Sequence, residues 1–357
     1  MPRARKKWIW TAAGGAALAA LGAGGTAAQR RHMQRIEADP EQARLTDPPS
    51  GSPLSVHSAD GTVLHAEVFG PDDGDTVVLA HGWTETLTFW TYVIERLAQR
   101  GLRVVAYDQR GHGHSAPAAD GYQMERFGQD LEAVLGACLP DGERAILAGH
   151  SLGAMSIAAW ADHQDVERRA RGAVLINAGV DDLIAQQLIL PLPAFAQAIN
   201  KAIAVRGFLG SRTPLPRVST PVSHATIRYF AFGPEATPAQ VAFYERMLVA
   251  TPPDARASIG IAMSEMDLRD ALRCLTIPTV VIAGEDDRLT PPEHARRIAN
   301  MLPRLQRLIV LPDTGHMAPL ERPSELARAI ADLAASPAKQ TPGSVSSGRA
   351  ANRAEAG

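Results

Sequence analysis

Cysteine and net charge are both scarce in this chain of 357 residues. The two cysteines, Cys138 and Cys274, are far apart in sequence, and we expect buried free thiols rather than a disulfide. Cysteine usage therefore does not indicate a redox compartment. The formal net charge of −2 gives no electrostatic reason to expect a nucleic-acid partner. Hydrophobic residues make up 45% of the chain, which is enough for a large core.

The N-terminal segment contains an uncharged run of 21 residues, from Trp8 to Ala28, with basic residues on both sides. A bilayer requires about 20 apolar residues, although this run is mostly Ala and Gly and is only mildly hydrophobic. We expect residues 1–31 to form a membrane anchor. Basic residues are denser before the run, which places the following domain outside. The alternatives are a secretory signal cleaved after Thr26-Ala27-Ala28, or neither.

The rest of the chain divides by composition and pattern. Residues 32–53 are charged and contain several prolines, which indicates a linker. Strand and helix patterns alternate over 54–180 and 265–335, which predicts an α/β fold with a mostly parallel sheet and helices on both faces. Residues 181–264 interrupt this alternation with prolines and helical patches. Residues 336–357 have little to bury and are expected to be disordered.

One short segment carries the main chemical signal. The sequence Gly149-His150-Ser151-Leu152-Gly153 follows an apolar run and opens an Ala-rich stretch with a helical pattern. A serine between two glycines at a strand-to-helix turn has a strained backbone that exposes its hydroxyl. The helix N-terminus that follows places backbone N–H groups beside that hydroxyl. The pattern predicts that Ser151 is a nucleophile.

A serine hydroxyl needs a base, and the base works best when a third group orients it. His316 follows an apolar run near the C-terminus and is the candidate base. The segment 278–284 has the pattern of a buried strand, and three consecutive acids follow it. We predict Asp287 as the orienting acid, with Asp286 as the main alternative. Asp181 or Asp182, after another apolar run, is a further alternative.

The oxyanion of a tetrahedral intermediate needs two N–H donors. The backbone N–H of Leu152, directly after the nucleophile, is the first candidate. The second is the N–H of Trp83, in the His81-Gly82-Trp83 segment that follows a strand-like run. We interpret His81 as a packing and hydrogen-bonding residue.

Two further histidines lie in the glycine-rich segment Asp108 to Ser115, which we interpret as a structural turn. Histidines spaced two apart on such a turn are weak evidence for a metal site. The sequence therefore predicts no metal.

These segments together resemble the α/β-hydrolase family, in its cap-bearing branch of esterases, cofactor-free haloperoxidases and epoxide hydrolases. The resemblance spans about residues 54 to 335, and the chain order Ser151, Asp287, His316 matches the family order. It implies an eight-stranded sheet, a nucleophile elbow at Ser151 and a helical cap over 181–264. Epoxide hydrolases of this family carry an aspartate at the elbow, so Ser151 argues against that activity.

The expected function is hydrolysis of a small-molecule carboxylic ester through an acyl-enzyme intermediate, without cofactor or metal. Aliphatic and aromatic residues in the predicted cap suggest an apolar acyl group. Two alternatives stay open. One is perhydrolysis, in which peroxide replaces water and the same three side chains act. The other is a non-catalytic ligand-binding protein with the same fold.

Overall fold

The computed structural model describes residues 25–181, 183 and 209–336. Its centre is one eight-stranded sheet with the order β1-β2-β4-β3-β5-β6-β7-β8. The β1–β2 and β2–β4 pairs are antiparallel, and the other five pairs are parallel. The strands are β1 Ser52–His57, β2 Val63–Phe69, β3 Thr76–Ala80, β4 Arg103–Tyr107, β5 Ala145–His150, β6 Ala170–Ile176, β7 Thr279–Gly284 and β8 Leu305–Leu311.

Helices fill most of the connections between the strands. Residues 25–37 are helical, and a short 3₁₀ helix spans Leu87–Trp90. The α-helices that follow in the described chain are α1 Gln42–Thr46, α2 Thr91–Ala98, α3 Met124–Cys138, α4 Leu152–Ala161, α5 Val166–Arg169, α6 Pro221–Ala231, α7 Pro238–Ala250, α8 Pro253–Glu265, α9 Arg269–Arg273, α10 Pro292–Met301, α11 Ala318–Glu321 and α12 Pro323–Ala335.

The central strands are buried on both faces, which explains their continuous apolar sequence. Every residue of β3, β5 and β7 is buried. Alternate residues point to opposite faces. Val78 and Leu147 join a core with α3 and α4, whereas Val77 and Ile146 join a second core with α2 and α12. The predicted mostly parallel eight-stranded sheet with helices on both faces is confirmed.

The two cysteines are free, as expected, but they differ in exposure. Cys138 is buried at the end of α3. Cys274 is exposed, because it follows the short helix α9 on the surface instead of entering β7. The expectation of two buried thiols is therefore wrong for Cys274.

Four α-helices, α6 to α9, occupy the described part of the segment between β6 and β7. Helices α6 and α7 begin with capping boxes at Thr220 and Thr237, each followed by a proline at the first helical position. That arrangement satisfies backbone donors at a helix start. Residues 182 and 184–208, the first part of the predicted cap, lie outside the described residues.

The N-terminal prediction of a membrane-anchored chain is wrong. Within residues 25–181 and 209–336, no helix has both the length and the apolar character needed to cross a bilayer. Residues 1–24, which hold most of the uncharged run, lie outside the described residues. The uncharged run is long enough for a bilayer, but it is rich in Ala and Gly and therefore only mildly hydrophobic.

The segment 32–53, predicted as a linker, packs against the helices around α7. Its described structure includes the end of the 25–37 helix, the helix α1 and the start of β1. Leu45 is buried in a cluster with residues of α7. The Asp39 carboxylate accepts a hydrogen bond from the backbone N–H of Ala239 (3.0 Å). Residues 337–357, most of the predicted tail, lie outside the described residues.

The close approach of β3 and α4 gives the first testable prediction. A Cβ at Gly153 would overlap the backbone carbonyl of Ala80, whereas a Cβ at the exposed Gly136 of α3 would meet only ordinary contacts. Gly153→Ala should therefore lower the free energy of unfolding by about 1–3 kcal/mol or more. Gly136→Ala should leave it unchanged or raise it by up to about 1 kcal/mol. Urea titration checks both variants, and equal effects would contradict the packing described here.

Candidate active site

Ser151 lies at the turn between β5 and α4, with a backbone conformation that residues other than glycine rarely adopt. Its φ is 49° and its ψ is −112°. The backbone N–H of Ser151 donates to the carbonyl of Ile176 on β6 (2.9 Å), which holds the turn in place. A Cβ at Gly149 or Gly153 would collide with neighbouring backbone, so both positions require glycine. The turn thus fixes the serine at the carboxyl end of β5.

Asp287 and His316 lie at the same edge of the sheet, in the loops after β7 and β8. His316 Nδ1 is 2.8 Å from Asp287 Oδ2. Asp287 Oδ1 accepts the backbone N–H groups of Leu289 and Thr290, each at 2.8 Å. Asp287 Oδ2 also accepts Asn177 Nδ2 (2.7 Å). Every side of the carboxylate is therefore occupied, and its orientation is fixed toward His316.

The electrostatics of Asp287 follow from this cage. Burial would raise the pKa of the carboxyl, but the neighbouring His316 and the accepted hydrogen bonds lower it below its ordinary value. Asp287 therefore stays ionised beside His316.

The alternative acids lie elsewhere. Asp286 is half-buried. Asp181 lies 3.2 Å from the guanidinium of Arg297. Asp182 lies outside the described residues. Of the four acids considered from the sequence, the structure brings Asp287 to His316.

The loop after β3 is held tightly beside Ser151. Gly82 N–H donates to Glu85 Oε2 (2.5 Å), and Thr84 N–H donates to His112 Nε2 (3.1 Å). Thr84 has a φ of 61°. These bonds fix the backbone on both sides of Trp83. Leu152, at the first position of α4, is fully buried, and the N–H groups of a first helical turn lack intrahelical acceptors.

Ser151 and His316 line one cavity of about 90 Å³, which we call the serine cavity. Trp83 and Thr290 contribute to its wall from the loops around the sheet edge. Leu209 and Tyr244 contribute from the segment between β6 and β7. Loops after β3, β5, β7 and β8 thus meet at one cavity, and three of the predicted site residues, Trp83, Ser151 and His316, line it.

Sequence reasoning missed a second buried pair, His150 and Glu85. His150 Nδ1 is 3.0 Å from Glu85 Oε2, and His150 Nε2 donates to the backbone carbonyl of His316 (2.8 Å). Both side chains are buried. A Cβ at Gly82 would collide with both of them, so this pair explains the glycine. The available signal was a histidine inside an otherwise apolar buried strand.

The contacts of His150 also shift the pKa of its imidazole. Burial would lower the pKa of His150, but the carboxylate of Glu85 and the carbonyl of His316 raise it above its ordinary value. Through its contacts with Glu85 and the carbonyl of His316, His150 links the loop after β3 to the loop that carries His316.

The remaining histidines of the motifs have structural contacts. His81 Nδ1 donates to the carbonyl of Gly82 (2.7 Å), and its Nε2 accepts the N–H of Gln109 (2.9 Å). The carboxylate of Asp108 accepts the backbone N–H groups of Leu87 (2.7 Å) and His114 (2.8 Å). Among the described residues, no group of three or more His, Cys, Asp or Glu side chains is arranged to hold a metal ion.

Comparison with known proteins places this geometry in context. The model of the alpha/beta hydrolase family matches residues 77–329. The chain is 28% identical over 267 residues to a non-heme haloperoxidase from Rhodococcus erythropolis, covering 73% of this chain and 92% of that protein. It is 27% identical over 277 residues to a bifunctional esterase/perhydrolase from Acinetobacter calcoaceticus, covering 74% and 93%. Among solved structures, a hydrolase from Pseudomonas aeruginosa PA01 is 27% identical with a TM-score of 0.63, covering 81% of this chain and 100% of that one.

The buried His150–Glu85 pair predicts a pH-dependent contribution to stability. Because the pKa of His150 is raised in the folded state, the contribution is fully present below about pH 6.5 and is lost as the pH rises through the raised pKa. The double variant His150→Gln, Glu85→Gln removes both titrating groups. Its loss of unfolding free energy relative to the natural chain should be largest near pH 6 and smaller at pH 9.

Urea titration at several pH values measures that difference. Each unit by which the pKa is raised corresponds to about 1.4 kcal/mol. The exposed pair His163 and Asp162 supplies the control, because His163→Gln should change stability by less than about 0.5 kcal/mol at every pH. A loss for the double variant that is the same at pH 6 and pH 9 would contradict a raised pKa of His150 in the folded state.

Proposed function

Because this chain belongs to the α/β hydrolase family, we propose that it is a serine hydrolase that cleaves carboxylic esters through an acyl-enzyme intermediate. The observation that supports this most directly is the 2.8 Å contact between His316 and Asp287 beside a cavity that also contains Ser151. A serine, a histidine and a buried carboxylate in this arrangement can perform nucleophilic acyl transfer without another group.

In the proposed mechanism, Ser151 Oγ attacks the ester carbonyl while His316 takes the serine proton. Asp287 holds the imidazole in one tautomer, with Nδ1 protonated, and stabilises the imidazolium that forms. His316 then gives the proton to the departing alcohol. Water repeats the cycle against the acyl-enzyme, which releases the acid and restores Ser151.

The negative charge of the tetrahedral intermediate falls on the former carbonyl oxygen. We propose that the backbone N–H groups of Leu152 and Trp83 stabilise it. Leu152 lies at the start of α4, where the helix dipole also favours negative charge. The bonds that fix Gly82 and Thr84 preorganise the loop that carries Trp83.

We further propose that residues 181–264 form a cap over Ser151. Leu209, Tyr244 and Met263 of this segment contribute to the wall of the serine cavity. Apolar side chains at this wall exclude water and favour an apolar acyl group.

Perhydrolysis is the second candidate function. Two relatives are named for such chemistry, the non-heme haloperoxidase and the bifunctional esterase/perhydrolase. In this reaction hydrogen peroxide takes the place of water against the acyl-enzyme and a peracid leaves. Bromination of an acceptor that depends on acetate, hydrogen peroxide and Ser151 would favour it over simple hydrolysis.

Ser151→Ala tests whether the serine is the nucleophile. We expect kcat on a p-nitrophenyl ester to fall by about 10⁴-fold or more, with an unchanged unfolding transition. A fluorophosphonate probe should label the natural chain and Ser264→Ala, a control serine on α8, but not Ser151→Ala. A folded natural chain that takes no label would support the non-catalytic binding protein instead.

Asp287→Asn and Asp286→Asn form a matched pair for the acid. The asparagine at 287 cannot hold the productive tautomer of His316, so kcat should fall by about 10³–10⁴-fold. Asp286→Asn alters a carboxyl that is not part of the contact between His316 and Asp287, and it should change kcat by less than about threefold. Steady-state kinetics on the same p-nitrophenyl ester compare them, and a larger loss from Asp286→Asn would reverse the assignment.

A further inference from the structure

A second cavity of about 320 Å³ lies beside the serine cavity, and we call it the apolar cavity. The two cavities share three wall residues, Trp83, Tyr244 and Leu289. Most of the remaining wall consists of aliphatic and aromatic side chains, among them Leu215, Ile227, Phe230 and Leu248. The apolar cavity is therefore a neighbouring space for a substrate group attached to the reacting carbonyl.

One arginine also contributes to the wall of the apolar cavity. Arg256 lies in the first turn of α8 and is only 4% exposed. Its Nη2 donates to the backbone carbonyls of Ser211 (3.3 Å) and Thr213 (2.6 Å). A guanidinium has five N–H donors. The three on Nε and Nη1 have no acceptor within the described part of the chain, so they can serve a ligand.

The charge of Arg256 is not balanced by a protein carboxylate in the described residues. Asp254, two residues earlier, pairs with Arg212 instead (3.2 Å). Glu245 also contributes to the cavity wall, but its carboxylate accepts the hydroxyl of Ser219 (2.5 Å). Burial accordingly lowers the pKa of Arg256. A helix start is also the less favourable end for a positive charge.

Among the described residues, a second deeply buried arginine, Arg110, shows how this protein stabilises a structural guanidinium. Arg110 pairs with Asp130 (2.6 Å) and with Asp60 (2.8 Å). Removing a buried charge from water without such a partner is costly. Arg256 has no such partner among the described residues, and it lines a cavity that shares wall residues with the serine cavity, which indicates that its partner is a ligand.

We infer that Arg256 binds a carboxylate at the far end of the acyl group, so that the preferred substrates are esters or lactones of apolar acids that carry a second, ionised carboxyl. The guanidinium fork suits a carboxylate, and the apolar wall suits the methylene chain between the two carboxyl carbons. This inference rests on the proposed ester hydrolysis and specifies its substrate class.

The test compares esters that differ only in the terminal group. Each pair consists of the p-nitrophenyl ester of a linear monocarboxylic acid and the p-nitrophenyl monoester of the dicarboxylic acid with the same number of carbons. The acids have four to eight carbons. We expect the natural chain to prefer the dicarboxylic member at one or more lengths. Arg256→Gln should lower kcat/KM for that member by about 10–100-fold, mainly through KM. The neutral member should change by less than about threefold.

Two further variants separate binding from a structural role. Arg256→Lys keeps the charge but loses the fork, and should fall between the natural chain and Arg256→Gln. Arg212→Gln removes an exposed arginine that pairs with Asp254, two residues before Arg256, and should not change the preference. Equal losses on both members of a pair would assign Arg256 to holding Ser211 and Thr213, and would overturn the inference.

Inhibition of the natural chain gives a second measurement that does not depend on a folded variant. Linear dicarboxylates should compete with a neutral p-nitrophenyl ester more strongly than monocarboxylates of equal length. Equal or weaker inhibition, or no preference for dicarboxylic esters at any length, would overturn the inference while hydrolysis of the neutral ester stands. Loss of hydrolysis of every ester together with no fluorophosphonate label at Ser151 would instead reject the proposed function.

Discussion

The site depends on the contact between Gly153 and the backbone carbonyl of Ala80. Because Gly153 has no side chain and Ala80 has only a methyl group, α4 can start directly against the end of β3. The same approach leaves Ser151 at a φ of 49°. It also brings the loop after β3 beside the serine, so that Trp83 and Ser151 contribute to one cavity wall. A single steric constraint thus positions both the serine that we propose as nucleophile and the N–H donor that we propose for the oxyanion.

The second constraint is the buried His150–Glu85 pair, which connects loops that are far apart in sequence. Glu85 accepts the N–H of Gly82 and also contacts His150, and His150 donates to the carbonyl of His316. Three loops of the site therefore share one hydrogen-bonded chain. Buried polar networks of this kind fix geometry when every member has a partner.

The sequence predicted those parts of the fold that depend on local pattern. β3, β5 and β7 were visible because strands buried on both faces are continuously apolar, and Ser151 was visible because its turn demands glycines on both sides. The pairing of His150 with Glu85, the role of Asn177 at Asp287 and the burial of Arg256 depend on contacts across the fold, which no local pattern records. The prediction of an N-terminal anchor was wrong for a different reason, because length without strong hydrophobicity does not define a membrane span.

The two histidines next to Ser151 show how similar side chains acquire different roles. His150 is fully buried and has both ring nitrogens committed, one to Glu85 and one to the carbonyl of His316. Both contacts require an N–H on the ring, so His150 would lose one of them by giving up a proton, and neither nitrogen is open to Ser151. His316 commits Nδ1 to Asp287 and borders the serine cavity, which leaves Nε2 for the exchange with Ser151 that we propose. Access to the serine cavity and a ring nitrogen not used in other contacts, more than closeness to Ser151 in sequence, therefore decide which histidine can act as the base.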